Sequence, residues 1–142
     1  MIRLFASPLQ GFTDFRFRNA FQTFFRGIDQ FMAPYIRLNG KMEIKPANKR
    51  DILPENNLSP DLIPQIITKD AGEFLLVADY IQKLGYRELN WNLGCPYPMV
   101  AKKGMCSGLL SQPGKIDEIL SRVSAETDIQ LSIKMRLGYE SP

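Results

Sequence analysis

The side chains best suited to chemistry sit at five points along the chain. They are Pro8-Leu9-Gln10 within the run SPLQG, Tyr35 after Ala33-Pro34, Gln65 after Pro64, Asn90 to Cys95 within NWNLGC, and Lys134 with Arg136 in KMR. Together they supply amides, one thiol and cations, without a carboxylate. Such a set is poor for metal-assisted hydrolysis. It suits a flat heteroaromatic ring, because Gln and Asn can each donate and accept along an alternating C=O and N–H edge. A lysine beside a ring such as isoalloxazine would stabilise negative charge at its N1/O2 edge, and Pro8 and Gly11 would let backbone approach closely. Cys95 lies between Gly94 and Pro96, where a thiol can face a ligand, whereas Cys106 reads as core or loop packing. The chain has no histidine, which removes His-based triads and Cys/His zinc sites.

The elements that must carry these residues alternate between strand and helix. Strands are predicted at 3–7, 30–36, 62–68, 88–93 and 129–137. A first helix, capped by Thr13 or Asp14, is predicted to bury Phe17, Ala20, Phe21, Phe24 and Phe25 and to end at Gly27. A second, capped by Asp70, carries Phe74, Val77, Ala78 and Ile81 and closes at Gly85. A third begins at Pro113, with Asp117 and Glu118 near its positive end and Ile116, Ile119, Leu120 and Val123 on its buried face. Residues 37–60 form a long polar excursion broken by Pro46, Pro54 and Pro60, expected to hold a short helix or to be functional.

This order implies a parallel α/β sheet with right-handed crossovers. About five strands fall short of a complete (β/α)8 barrel, which takes about 250 residues. We therefore read residues 1–142 as the N-terminal portion of such a barrel, about its first five strands. The open first and last strands predict dimerisation, strand swapping or aggregation if nothing else covers them. In a barrel of this class the site lies at the C-terminal strand ends, where the five groups of residues would converge.

Composition sets the wider bounds. With 142 residues, 44% hydrophobic and 23% charged, the chain is a globular domain and not a disordered or fibrous segment. No apolar run reaches membrane-spanning length and no secretory leader is visible, so a cytoplasmic location is expected. Two cysteines cannot build a disulfide scaffold. The net charge of +3 permits a polyanionic partner without requiring one.

Four segments, in order, carry a resemblance: SPLQGFTDFRFR, IPQII at 63–67, LNWNLGCPYPMVAKKGMCSGLL at 89–110, and SIKMRLG at 132–138. The chain resembles the tRNA-dihydrouridine synthases, FMN-dependent (β/α)8-barrel enzymes that reduce uridines in tRNA. N-x-G-C-P followed by K-x-G and G-x-L-L is its most specific part. The resemblance implies that Pro8, Leu9 and Gln10 contact FMN, that Gln65, Asn92 and Lys134 bind or orient the isoalloxazine, and that Cys95 is the proton donor. NADPH would be the reductant and tRNA the substrate, with no membrane and no metal involved. The family's C-terminal helical tRNA-binding domain and later barrel strands, with their His and FMN-phosphate site, have no counterpart in these residues. The sequence also departs from the family at Ser7, at Leu9-Gln10 and at Met105-Cys106-Ser107.

Conjugation to the C4 carbonyl makes C6 of uracil electrophilic, so hydride would reach C6 and a proton C5. Thiols are mostly protonated at neutral pH and can act as general acids. The uridine must be turned out of folded RNA at a cost of roughly a few kcal/mol. Lys102, Lys103, Arg136 and Arg37 are candidates to hold phosphates near the mouth. Two alternatives remain open. One is another FMN-barrel oxidoreductase, dihydroorotate dehydrogenase-like or ene-reductase-like; the other is an inactive fragment or non-catalytic RNA-binding protein.

Overall fold

A computed structural model describes residues 2–59 and 61–138. It is a mixed α/β structure whose strands are joined in parallel, as the alternation of elements requires. The chain divides after Gln65 into two compact units.

In the first unit, β1 (Phe5–Ala6), β2 (Gln30–Met32) and β3 (Leu62–Ile63) form a sheet in that order, with Phe5 opposite Gln30 and Phe31 opposite Leu62. Helix α1 (Phe15–Phe24) joins β1 to β2. Asp14 caps it, its carboxylate accepting from the amides of Arg16 and Phe17 at 3.1 and 3.2 Å. Burial of this carboxyl would raise its pKa, but these amides and the Arg16 guanidinium outweigh that and hold it below the ordinary aspartate value. The excursion contains helix α2 (Pro46–Ile52) and a 3-10 turn at Pro54–Asn56, each started by a proline.

The apolar stripe expected to bury α1 does not do so. Phe17, Ala20, Phe24 and Phe25 are exposed, and Phe21 is half-buried, edge-on to Phe31 at 5.9 Å between centroids. The buried residue of α1 is Arg18. Periodicity marks an apolar face but not what lies against it, and here the described residues turn the adjacent cationic position inward instead.

The predicted strand at 62–68 is two short strands, β3 and β4 (Gln65–Ile66). They flank Pro64, which has no N–H for a ladder bond. The described residues thus form six strands in two sheets where five were expected. The second sheet runs β4, β5 (Glu88–Leu93), β6 (Gln130–Met135), and β6 lies on its edge.

The described residues of the second unit form three α-helices. Helix α3 (Ala71–Lys83) is capped by Asp70 and fully buries Phe74, Val77, Ala78 and Ile81, as predicted. Helix α4 (Pro98–Ala101) and a 3-10 turn at Cys106–Leu109 fill the stretch after β5. Helix α5 (Pro113–Glu126) buries Ile119 and Val123, while Ile116 and Leu120 are only half-buried. Its first turn holds no acidic residue, so Asp117 and Glu118 lie one turn too late to meet its positive end. Among the described residues no helix is long and apolar enough to cross a membrane.

Candidate functional site

In the second unit the site is built on the paired strands β5 and β6. Side chains alternate across a strand, and Trp91 shows which face is which. Its indole N–H donates to the Thr68 carbonyl at 3.1 Å, and its ring meets Phe74 of α3 edge-on at 6.0 Å. The helix-facing side therefore takes Leu89, Trp91 and Leu93, all buried. The opposite face takes Asn90 and Asn92, with register partners Ser132 and Lys134 on β6. Asn90 Nδ2 donates to Ser132 Oγ at 2.9 Å, so the amide row and the β6 row meet across the ladder.

Asn92 shapes the loop that follows. Its Oδ1 accepts from the amides of Gly94 and Cys95, both at 3.1 Å, an Asx turn that sets the direction in which the chain leaves β5. Gly94 then passes close to β6: a Cβ there would stand 3.3 Å from the Met135 carbonyl carbon and 3.5 Å from Lys134 O. N-x-G-C thus has a mechanical reading, in which Asn turns the chain, Gly lets it clear the neighbouring strand, and Cys95 emerges half-buried beside the Asn92–Lys134 pair.

The downstream motif holds that loop from the other side. Ser107, fully buried, donates its hydroxyl to the Cys95 carbonyl at 2.9 Å, and its amide points at the same oxygen at 3.4 Å. Gly108 makes this approach possible, because a Cβ at that position would lie 2.0 Å from the Ala101 carbonyl oxygen. Cys106 is fully buried, in keeping with its reading as packing, and takes a positive φ of 51°. Sequence reasoning missed Ser107. No local pattern pairs residue 107 with residue 95.

The remaining expected residues are placed as follows. Lys102 and Lys103 are exposed on the turn after α4, and the Lys103 carbonyl accepts from Lys69 Nζ at 2.7 Å. Arg136 is exposed beyond β6.

Pro8, Leu9, Gln10, Arg37 and Gln65 belong to the first unit. Pro8 is half-buried, and Leu9 and Gln10 are exposed, in a loop closed on itself. The Leu9 amide donates to Thr13 Oγ1 at 2.9 Å, and the amides of Phe12 and Thr13 return to the Leu9 carbonyl at 3.0 and 3.1 Å. Arg37 is half-buried. Gln65 is fully buried, and its carbonyl accepts from the Ile36 amide at 2.7 Å. A cavity of about 240 Å3 in this unit is lined mostly by apolar side chains, among them Ala6, Leu9, Phe21 and Met32.

Chemically, the second-unit cluster offers amides, a hydroxyl, an ammonium and a thiol. At the register positions of Asn90, Asn92, Ser132 and Lys134 there is no carboxylate; Glu88 stands at the far end of the same face. Such a set fits a planar ring with alternating donors and acceptors and an electron-rich edge. It does not suit a divalent cation, and among the described residues no group of three His, Cys, Asp or Glu side chains could hold a metal ion.

Comparison with known proteins gives the same direction. Residues 4–142 match the family model described as Dihydrouridine synthase (Dus). A "Probable tRNA-dihydrouridine synthase" of Helicobacter pylori (strain J99 / ATCC 700824) is 29% identical over 144 residues, covering 96% of this chain and 42% of that protein. A "Probable tRNA-dihydrouridine synthase 1" of Synechocystis sp. (strain ATCC 27184 / PCC 6803 / Kazusa) is 27% identical over 97% of this chain and 38% of its own length. A third, from Staphylococcus aureus (strain Mu50 / ATCC 700699), is 41% identical over 59 residues, 42% of this chain and 18% of that protein. The chain thus spans about two-fifths of the length of the relatives it matches end to end. With the family model matched over nearly its whole length, the chain belongs to the dihydrouridine synthase family.

Proposed function

We propose that residues 1–142 are the N-terminal portion of the (β/α)8 catalytic barrel of a tRNA-dihydrouridine synthase, acting in the cytoplasm on uridine in tRNA. The observation that carries this reading is the juxtaposition of Asn92, Lys134 and Cys95 on and beside one polar strand face, with the Cys95 loop tied down at both its amide and its carbonyl. Family membership supports the same reaction class.

In this reading Asn92 and Lys134 of the second unit hold the isoalloxazine of FMN; in the first unit, Pro8, Leu9, Gln10 and Gln65 are the residues to which the resemblance assigns flavin contacts. When bound, FMN supplies the hydride, with NADPH as its reductant. Lys134 places a positive charge at the ring's electron-rich edge, an arrangement whose worth grows where water is excluded. Cys95 gives its Sγ proton to C5 as C6 gains hydride, and the resulting thiolate regains a proton from solvent. Proton delivery demands a fixed donor, and the bonds from Asn92 and Ser107 fix the backbone on which the thiol rides. Lys102, Lys103, Arg37 and Arg136 hold phosphates as the uridine is turned out of its stack.

The test is Cys95→Ala in the intact protein, with tRNA lacking the modification as substrate. Dihydrouridine formation is expected to fall at least 100-fold while the protein stays yellow. Unimpaired formation would show that Cys95 is not the proton donor. Purified protein that is colourless and takes up no flavin on reconstitution would overturn the scheme. Flavoprotein that reduces small enones or orotate-like rings but not tRNA would place it among other FMN-barrel oxidoreductases.

A further inference from the structure

We propose that Arg18, held by Asp51 and Asn57, is a positioning residue that sets the shape of the first βα loop and thereby the strength with which that loop grips flavin. The proposal rests on the flavin reading given under Proposed function, and concerns residues of the first unit alone.

Arg18 is 1% exposed, although Phe17 and Phe24 of the same helix are exposed. A buried guanidinium is costly unless its donors are met, and here all three nitrogens are engaged. Nη1 donates to the Thr13 carbonyl at 2.8 Å and lies 3.3 Å from Asp51 Oδ2. Nη2 donates to the Asp51 carbonyl at 2.8 Å and to Asn57 Oδ1 at 2.9 Å, with Asp51 Oδ1 at 3.2 Å. Nε reaches Asn57 Oδ1 at 3.3 Å.

The partners come from two distant places. Asp51 and Asn57 belong to the 37–60 excursion, which thereby acquires a role as a scaffold. Thr13 is the last residue of the loop that begins at Pro8. Asp51 Oδ1 also accepts from the Phe15 amide at 2.6 Å, so one carboxylate anchors both the start of α1 and the cation below it. Asn57 is fixed in turn, its Nδ2 donating to the carbonyls of Asp51 and Leu53 at 2.9 and 3.0 Å.

Upstream of Thr13 the loop closes on Leu9. Thr13 Oγ1 and the Thr13 amide both bond Leu9, and Phe12 bonds the same Leu9 carbonyl. With Thr13 pinned from beneath by Arg18, the exposed segment Leu9-Gln10-Gly11 has one end set by β1 and the other by a buried cation. Lysine cannot replace this cation, since one ammonium, with three donors on a single nitrogen, cannot span five acceptor atoms on three residues arranged around a planar fork.

The experiment uses the intact protein and compares wild type with Arg18→Lys and Thr13→Val, and with Ile81→Val as a control for generic destabilisation. FMN affinity is read by flavin fluorescence quenching. Loop order is read separately, without flavin, by hydrogen exchange at the amides of Phe12 and Thr13. Arg18→Lys is expected to weaken FMN binding at least tenfold and to accelerate exchange at both amides, while Ile81→Val leaves both unchanged. Thr13→Val keeps the buried cluster and is expected to weaken FMN binding several-fold, which preserves the test if Arg18→Lys does not fold. A folded Arg18→Lys protein with wild-type FMN affinity and wild-type exchange would overturn the proposal, as would a lowered Tm with unchanged FMN affinity. Failure of wild type to bind FMN would instead overturn the flavin reading, and the exchange arm would still decide whether Arg18 orders the loop.

Discussion

Gly108→Ala should be among the most damaging single-methyl changes in this chain, although it adds only one carbon. The new Cβ would lie 2.0 Å from the Ala101 carbonyl oxygen, 2.8 Å from its carbonyl carbon and 3.1 Å from its Cα. These are backbone atoms, so no side chain can rotate away. Ordinary contact needs more than 1 Å of extra separation, so either α4 or the 3-10 turn at Cys106–Leu109 must move. Overpacking of this kind costs about 1–3 kcal/mol. The movement begins next to Ser107, whose hydroxyl bonds the Cys95 carbonyl at 2.9 Å. A shift of that size stretches the bond past useful length, and a buried hydrogen bond contributes about 1 kcal/mol. The expected total is about 2–4 kcal/mol, read from urea denaturation. A second assay follows Cys95 by mass-resolved alkylation at low denaturant, where its labelling should speed up as the loop loses its anchor. Ser107→Ala serves as the comparison: it loses the hydroxyl bond alone and should cost about 1 kcal/mol. A Gly108→Ala protein within about 0.5 kcal/mol of wild type, with unchanged Cys95 labelling, would refute the argument.

Asn92→Ala removes the acceptor of the Gly94 and Cys95 amides and should cost about 1–3 kcal/mol, with faster Cys95 labelling; Asn92→Asp, which keeps the acceptor, should restore much of the loop order. Trp91→Phe leaves the Thr68 carbonyl without its indole donor inside the core and removes ring volume, for an expected loss of about 2–4 kcal/mol by denaturant unfolding. Asp14→Ala removes the α1 cap and should cost about 1 kcal/mol at neutral pH. Because the folded Asp14 pKa is lowered, its ionic contribution is present above the ordinary aspartate value near 4 and is lost as pH falls through the folded value. Wild type should therefore lose stability relative to Asp14→Asn on acidification through that window, and a pH-independent difference between the two would contradict the assignment.

Local rules made much of this chain legible before any coordinates. Asp70 capping α3 and the burial of Phe74, Val77, Ala78 and Ile81 depend on spacing within one helix, which sequence records directly. Strand β5 also needed only its own residues, and its span 88–93 is as predicted. The site motif was visible as residue types in order, and the order identified the family.

What required tertiary structure was every fact in which distant residues choose one another. The phenylalanine spacing of α1 predicted a buried stripe, but which side of a helix turns inward depends on what the rest of the molecule brings to it, and Asp51 and Asn57 brought acceptors to Arg18. Ser107 became the keeper of Cys95 through a hydrogen bond spanning twelve positions, a pairing that no periodicity encodes. Sequence alone settled the chemistry on offer, since residue type is intrinsic. Only the fold decided which of those groups stand together, because proximity is a property of the packed chain.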